Sequence, residues 1–389
     1  MIKLNISSVP ASGIRKYFDL VNEMEDVISL GIGEPDFVTP STVMQAAHTA
    51  MNRGHTHYSS NMGFLSLREE ISEYMQSRYQ LSYSPKDEIL VTVGASEAID
   101  LAMRCLLGPG DEVIIPEPSF VAYKGCATFT GASVVSVDLD ADHKFKLSAE
   151  KLEKAITDKT RVIIFPFPNN PTGSIMRKEE MAEIVEVVKD KDLIIISDEI
   201  YSELTYNGDH VSIASFDSIK DKTLVINGFS KAYAMTGWRL GYACGNKELI
   251  LAMNKIHQYA IMCAPSLAQY AAMEALKNGA DDVRYMVEKY NQRRRVLVNG
   301  FNEIGLDCFE LEGAFYAFPS IKNTGMTSDE FCEKLLKEQH VLVVPGSAFG
   351  ECGEGYVRAT YASSIDNIIE ALERIDRFLK NRTNNKVKR

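Results

Sequence analysis

Val225 to Gly241 reads VINGFSKAYAMTGWRLG. A β-branched run breaks at Asn227 and Gly228, Ser230 and Lys231 follow at once, and Arg239 stands eight residues beyond the lysine. The run LVIN has the character of a strand buried on both faces. Lys231 sits among Phe229, Ala232, Tyr233, Ala234 and Met235, so its ammonium is poorly solvated. Desolvation lowers a lysine pKa, and the nearby cation Arg239 lowers it further. A deprotonated amine is what Schiff-base chemistry with an aldehyde requires. Most of the 42 Lys and Arg residues are surface groups; this setting singles Lys231 out as a covalent anchor.

Outward from this stretch, between about Thr42 and Gly279, short apolar runs alternate with amphipathic segments of roughly ten or more residues. The runs predict strands at Ile89–Val93, Glu112–Ile115, Val134–Val137, Val162–Phe165, Leu193–Ile196, Leu224–Ile226 and Leu240–Cys244. Alternation of this kind is the pattern of an α/β fold: one large domain with a seven-stranded, mostly parallel sheet and helices on both faces. From Asp282 the character changes to a long charged helix, Asp282–Glu303. Then come GAFYAFPSI, a helix over Ser328–Gln339, VLVVP, GYVRATYA and a last helix to Leu379. An arm through Pro10 and a helix over Ser12–Glu25 are expected at the start. The division this implies is 46–281 as the large domain, 282–389 as a smaller α/β domain, and 1–45 as the arm plus part of the small domain. Without a repeat or a low-complexity linker, the two domains share the long helix.

At 389 residues and 45% hydrophobic, the chain can bury a large core. No apolar run reaches signal-peptide or membrane-spanning length, so a cytoplasmic location is expected. Seven scattered cysteines with no C-x-x-C pair argue against a disulfide framework or a structural zinc. The net charge of −11 opposes nucleic-acid binding, and the basic tail Lys386–Arg389 reads as a solvated chain end.

Several further residues carry chemistry in more than one reading. In LGIGEPDFVTP, Gly31 and Gly33 permit a simple turn or close approach to a ligand. The turn Val93–Glu97, VGASE, leads from a strand into a helix whose free N–H groups and positive dipole end suit a phosphate, as any such turn would. Asp198 ends the apolar run LIIISDEIY and is either a helix N-cap or a functional charge. PNNPTG, with Asn170, is a turn or part of a site. Arg358 alternates with apolar neighbours in GYVRATYA, as a salt-bridged strand arginine or as a carboxylate fork. Tyr285-x-x-x-Lys289 has the spacing of a dehydrogenase pair but lies on the charged helix with no glycine-rich nucleotide turn. His55-x-His57 lacks a third metal ligand nearby, so no metal site is expected.

The spacing S-K-x-x-x-x-x-G-x-R from Ser230 to Arg239 closely resembles the lysine motif of the fold-type I, class I/II pyridoxal-phosphate aminotransferases. The resemblance runs from Ser12 to about Leu379. It is nearest to the branch holding bacterial and archaeal aspartate, aromatic and N-acetyl-diaminopimelate aminotransferases. It implies that Lys231 anchors pyridoxal 5'-phosphate and moves the substrate Cα proton, and that Asp198 faces the pyridine nitrogen. Tyr201 and Asn170 would hydrogen-bond the ring oxygen and Phe120 would stack on the ring. Ala95, Ser96, Ser230 and Arg239 would hold the phosphate, with Tyr58 reaching it from the second subunit of a homodimer. Arg358, with Gly33 and Asn170, would receive the substrate carboxylate. The implied reaction is a ping-pong amino transfer between an amino acid and a 2-oxo acid, with glutamate and 2-oxoglutarate as one pair. A carbon–sulfur β-lyase on the same fold is the alternative.

Overall fold

The computed structural model describes residues 24–387. The expected arm and the helix from Ser12 lie outside the described residues, save Met24 and Glu25, which are not helical. In chain order the described elements begin with β1 (Ile28–Ser29), α1 (Ser41–Asn52), α2 (Leu65–Tyr79), β2 (Ile89–Thr92), α3 (Gly94–Leu106) and β3 (Glu112–Glu117). They continue with α4 (Ala122–Thr130), β4 (Ser133–Asp138), α5 (Ala149–Ala155), β5 (Thr160–Phe165), α6 (Lys178–Val188), β6 (Ile194–Asp198) and β7 (Thr223–Gly228). After β8 (Gly241–Cys244) come α7 (Lys247–Ala260), α8 (Ser266–Asn278) and α9 (Ala280–Glu303). The last are β9 (Tyr316–Ala317), α10 (Ser328–Gln339), β10 (Val341–Leu342), β11 (Val344–Pro345), β12 (Val357–Thr360) and α11 (Ile365–Val387).

Strands β2 to β8 form one sheet in the order β2-β8-β7-β6-β5-β3-β4, parallel except for β8, which runs antiparallel to both of its neighbours. All seven expected strands are there, with no boundary shifted by more than two residues. Successive residues of each central strand enter different cores. Leu90, Ile164, Ile196 and Leu224 pack under α3, α4 and α7. Val91 and Val225 pack under α2 and α8, while Ile163 and Ile195 pack under α5 and α6. Burial on both faces explains why these strands read as continuous apolar runs, not as alternating ones.

A further core gathers around α9 and α11, where Met286, Tyr290, Leu297 and Phe301 fall on one buried face of α9. The N-terminal segment joins it: β1 pairs parallel with β10, and Thr360 N–H donates to Leu30 C=O at 2.7 Å. Strands β11, β12 and β9 form a small antiparallel sheet. The last helix runs beyond the expected end at Leu379 to Val387. No glycine or proline interrupts it, and polar pairs such as Lys380–Asp376 at 2.6 Å and Arg382–Glu338 support its solvent side.

Candidate active site

Strands β2, β3, β5, β6 and β7 deliver their C-terminal ends to one place. A cavity of about 340 Å³ opens there, within the range typical of small-molecule sites. It is lined by Lys231, Asp198, Tyr201, Asn170 and Phe120, by Ala95, Ser96, Ser230 and Arg239, and by Gly33 and Arg358. Of the residues that the resemblance assigns to the site, Tyr58 alone lies elsewhere, at the surface and 79% exposed. The dehydrogenase-like pair is apart from the cavity, with Lys289 lying over the Tyr285 ring on α9. His55 stacks on Tyr270, and among the described residues no group of three potential ligands could hold a metal.

Lys231 follows β7 by three residues and is held by both sides of the cavity. Its Nζ donates to Gly33 C=O at 2.7 Å and lies 5.8 Å and 5.5 Å from the ring centroids of Tyr201 and Phe315. Burial pushes its ammonium down to about 8, with Arg358 the first and Arg239 the second cation to add to the shift, while Glu34 and Asp198 oppose it. The sequence indicates the burial and Arg239; Arg358 comes from a distant strand and no local signal reveals it. The loop around the lysine departs from ordinary backbone. Ala234 and Arg239 both adopt left-handed conformations, at φ 52° each, as residues held in a functional turn often do.

Asp198 ends β6, fully buried. Burial pushes its carboxyl up, against hydrogen bonds from Tyr123 Oη at 2.6 Å and from the Ile200 N–H at 3.2 Å. Tyr123 was not among the sequence candidates, although it stands three residues after Phe120 in EPSFVAY, with the two rings edge-to-face at 5.7 Å. Tyr201 Oη pairs with Tyr316 Oη at 2.8 Å. Tyr316, also missed, covers the Arg358 guanidinium at 4.4 Å and explains the glycine at 33, where a Cβ would fall 2.2 Å from its hydroxyl. Glu34 lines the opening and accepts from Thr236 Oγ1 at 3.2 Å.

Arg358 is buried on β12. Its Nη1 donates to Asn170 Oδ1 at 3.0 Å and its Nη2 to Gly31 C=O at 2.6 Å, while Nε is buried with no partner among the described residues. A fixed guanidinium whose Nε has no partner is suited to an incoming carboxylate. At the other end, α3 begins at the cavity. Its Gly94, at φ 76°, would place a Cβ 2.7 Å from Arg239 Nη2, and a Cβ on Gly241 would meet the Ala95 N–H at 2.6 Å. Close packing therefore brings free helix N–H groups, a hydroxyl and a guanidinium to one spot, a donor set made for a phosphate. The buried Asp198 carboxyl lines the same cavity and can meet a cation there. These residues fit pyridoxal phosphate at both of its charged ends.

Residues 25–375 match the family model described as aminotransferase class I and II. A Bacillus subtilis chain named "probable N-acetyl-LL-diaminopimelate aminotransferase" is 45% identical over 371 residues, 95% of this chain and 94% of that one. The aspartate aminotransferase of Pyrococcus abyssi is 43% identical over 375 residues, 96% of each chain. The solved aromatic aminotransferase of Pyrococcus horikoshii matches with a TM-score of 0.91 at 43% identity, over 95% of this chain and 99% of that one.

Proposed function

Because this chain belongs to the class I and II aminotransferases, a pyridoxal-phosphate-dependent family, we propose a division of labour among its cavity residues. The protein is an aminotransferase acting on amino acids and 2-oxo acids; the carbon–sulfur lyase alternative has no support among these relatives. When bound, pyridoxal phosphate supplies an aldehyde and a ring that draws electrons from the substrate Cα. In our reading Lys231 is the anchoring amine and then removes and returns the Cα proton, a task for which a pKa of about 8 is well placed. Asp198, oriented by Tyr123, keeps the ring nitrogen protonated. Tyr201 and Asn170 hydrogen-bond the ring oxygen, Phe120 packs on the ring, and Ala95, Ser96, Ser230 and Arg239 hold the phosphate. Arg358 binds the substrate α-carboxylate beside Gly33 and Asn170.

The observation that carries this reading is the convergence of Lys231, Asp198 and Arg358 on one cavity from β7, β6 and β12. We take 46–281 as the cofactor-binding domain and 282–389, with the N-terminal 1–45, as the smaller one. A homodimer is supported by the exposure of Tyr58 together with Tyr259, 90% exposed, Ile261 and Met262, near the Asn61–Met262 hydrogen bond of 2.8 Å. A second copy would cover these groups and bring its Tyr58 to the phosphate; a fully active monomer in sedimentation would refute this. Seven free cysteines favour a reducing, cytoplasmic setting.

For substrates we propose glutamate and 2-oxoglutarate as one pair. The other is aspartate, an aromatic amino acid or N-acetyl-diaminopimelate, on which the relatives are named to act. The test mixes the cofactor-loaded protein with each amino acid singly and follows absorbance and oxo-acid release. Stoichiometric conversion to the pyridoxamine form ranks the donors. A protein that retains no cofactor, or converts none of them, sinks the assignment.

A further inference from the structure

The turn that presents Ala95 and Ser96 is anchored from behind by a carboxylate outside the cavity. Glu97, in the first turn of α3, accepts from the Val93 N–H through Oε2 at 2.5 Å, and its Oε1 lies 2.7 Å from Nδ1 of His257 on α7. His257 is fully buried, and its Nε2 has no partner among the described residues, so the ring's polar contact is spent on Glu97. Neither residue lines the cavity. Thr92 Oγ1 closes the same turn by donating to Gly94 C=O at 2.9 Å.

The arrangement runs against simple electrostatics. A carboxylate in the first turn competes with a phosphate for the same positive helix end. Its presence there calls for a role that outweighs the repulsion, and the bond to the Val93 N–H supplies one. That bond fixes the strand-to-helix passage just before the two residues whose N–H groups and hydroxyl face the cavity. We infer that Glu97, clamped by His257, is a positioning residue for the cofactor's phosphate, setting the Val93–Ser96 turn in the geometry that grips it. This inference rests on the reading above that the start of α3 holds that phosphate.

The test titrates the cofactor-free protein with pyridoxal phosphate and, separately, with pyridoxal, which lacks the phosphate, following the emission of Trp238, the chain's single tryptophan. Glu97→Ala weakens pyridoxal phosphate roughly tenfold, as loss of a helix-start interaction does, and leaves pyridoxal within about twofold. Glu97→Gln, which keeps an acceptor for Val93, stays close to the parent. His257→Ala follows Glu97→Ala, and His257→Asn, which restores a donor at the Nδ1 position, recovers most of the loss; this pair decides the matter if Glu97→Ala does not fold. Unchanged affinity for pyridoxal phosphate, or equal losses for both ligands, overturns the inference. Arg239→Gln separates the two readings. A phosphate-selective loss there but not in Glu97→Ala refutes the role of Glu97 alone, whereas no selective loss in either variant refutes the phosphate site.

Discussion

The cavity has two walls of different construction. One is carried on the ends of the seven-stranded sheet: Asp198, Phe120, Ala95 and Lys231 each follow or end a strand fixed by its neighbours. The other comes from the 31–34 loop, Tyr316 and Arg358, and is tied across by bonds from side chains to backbone, Lys231 to Gly33 and Arg358 to Gly31. The first wall is a by-product of the fold. The second depends on contacts that a bound carboxylate or cofactor would compete for, so the two walls should answer differently to substitution.

Lys231 touches both walls, and Lys231→Ala should have the largest effect: a loss of roughly 10⁴-fold or more in turnover, read by single-turnover kinetics. Arg358→Lys keeps the charge but loses the fork. We expect kcat/KM to fall ~100-fold, mainly through KM, with cofactor affinity unchanged. Tyr123→Phe acts on the sheet wall in the opposite sense. It removes the 2.6 Å donor to Asp198, and cofactor affinity should fall about tenfold with substrate KM little altered. If Arg358→Lys releases the cofactor, or Tyr123→Phe shifts only KM, the distinction between the walls is lost.

The smallest effect concerns stability. Lys231 is pushed from 10.5 to about 8 in the folded chain, so between these values the unfolded chain binds more protons and stability rises with pH. Below pH 8 the buried charge weighs fully against folding. Cofactor-free Lys231→Met should therefore melt higher than the cofactor-free parent at pH 7, and the gap should narrow toward pH 10. A gap that does not change with pH would place the lysine in a better-solvated wall than described.

The same contrast decides how much could be read in advance. The sheet wall was legible because buried parallel strands announce themselves as apolar runs, and residues just past them, such as Lys231 and Asp198, are marked by position. Arg358 was legible as a motif, but its bond to Gly31 was not, since nothing local joins residues so far apart in sequence. In the sequence Tyr316 and Tyr123 each look like one more core aromatic; only the fold puts their hydroxyls on Tyr201 and Asp198. The last helix outruns its expected end because its last turns are polar in sequence, and a polar stretch carries little periodic signal.

Strand β8, the late strand that reverses direction, also imposes an order on synthesis. It joins β2, the first strand of the sheet to leave the ribosome, to β7, the strand before the lysine. Until Gly241 has been made, β2 has no partner on its inner side and the α3 turn lacks both Arg239 and the backbone it packs against. A nascent chain of two hundred residues thus holds most of the parallel sheet but neither the Arg239 guanidinium nor the Gly241 backbone that packs on the α3 turn. This side of the cavity is completed only by the few residues that insert β8 between β2 and β7.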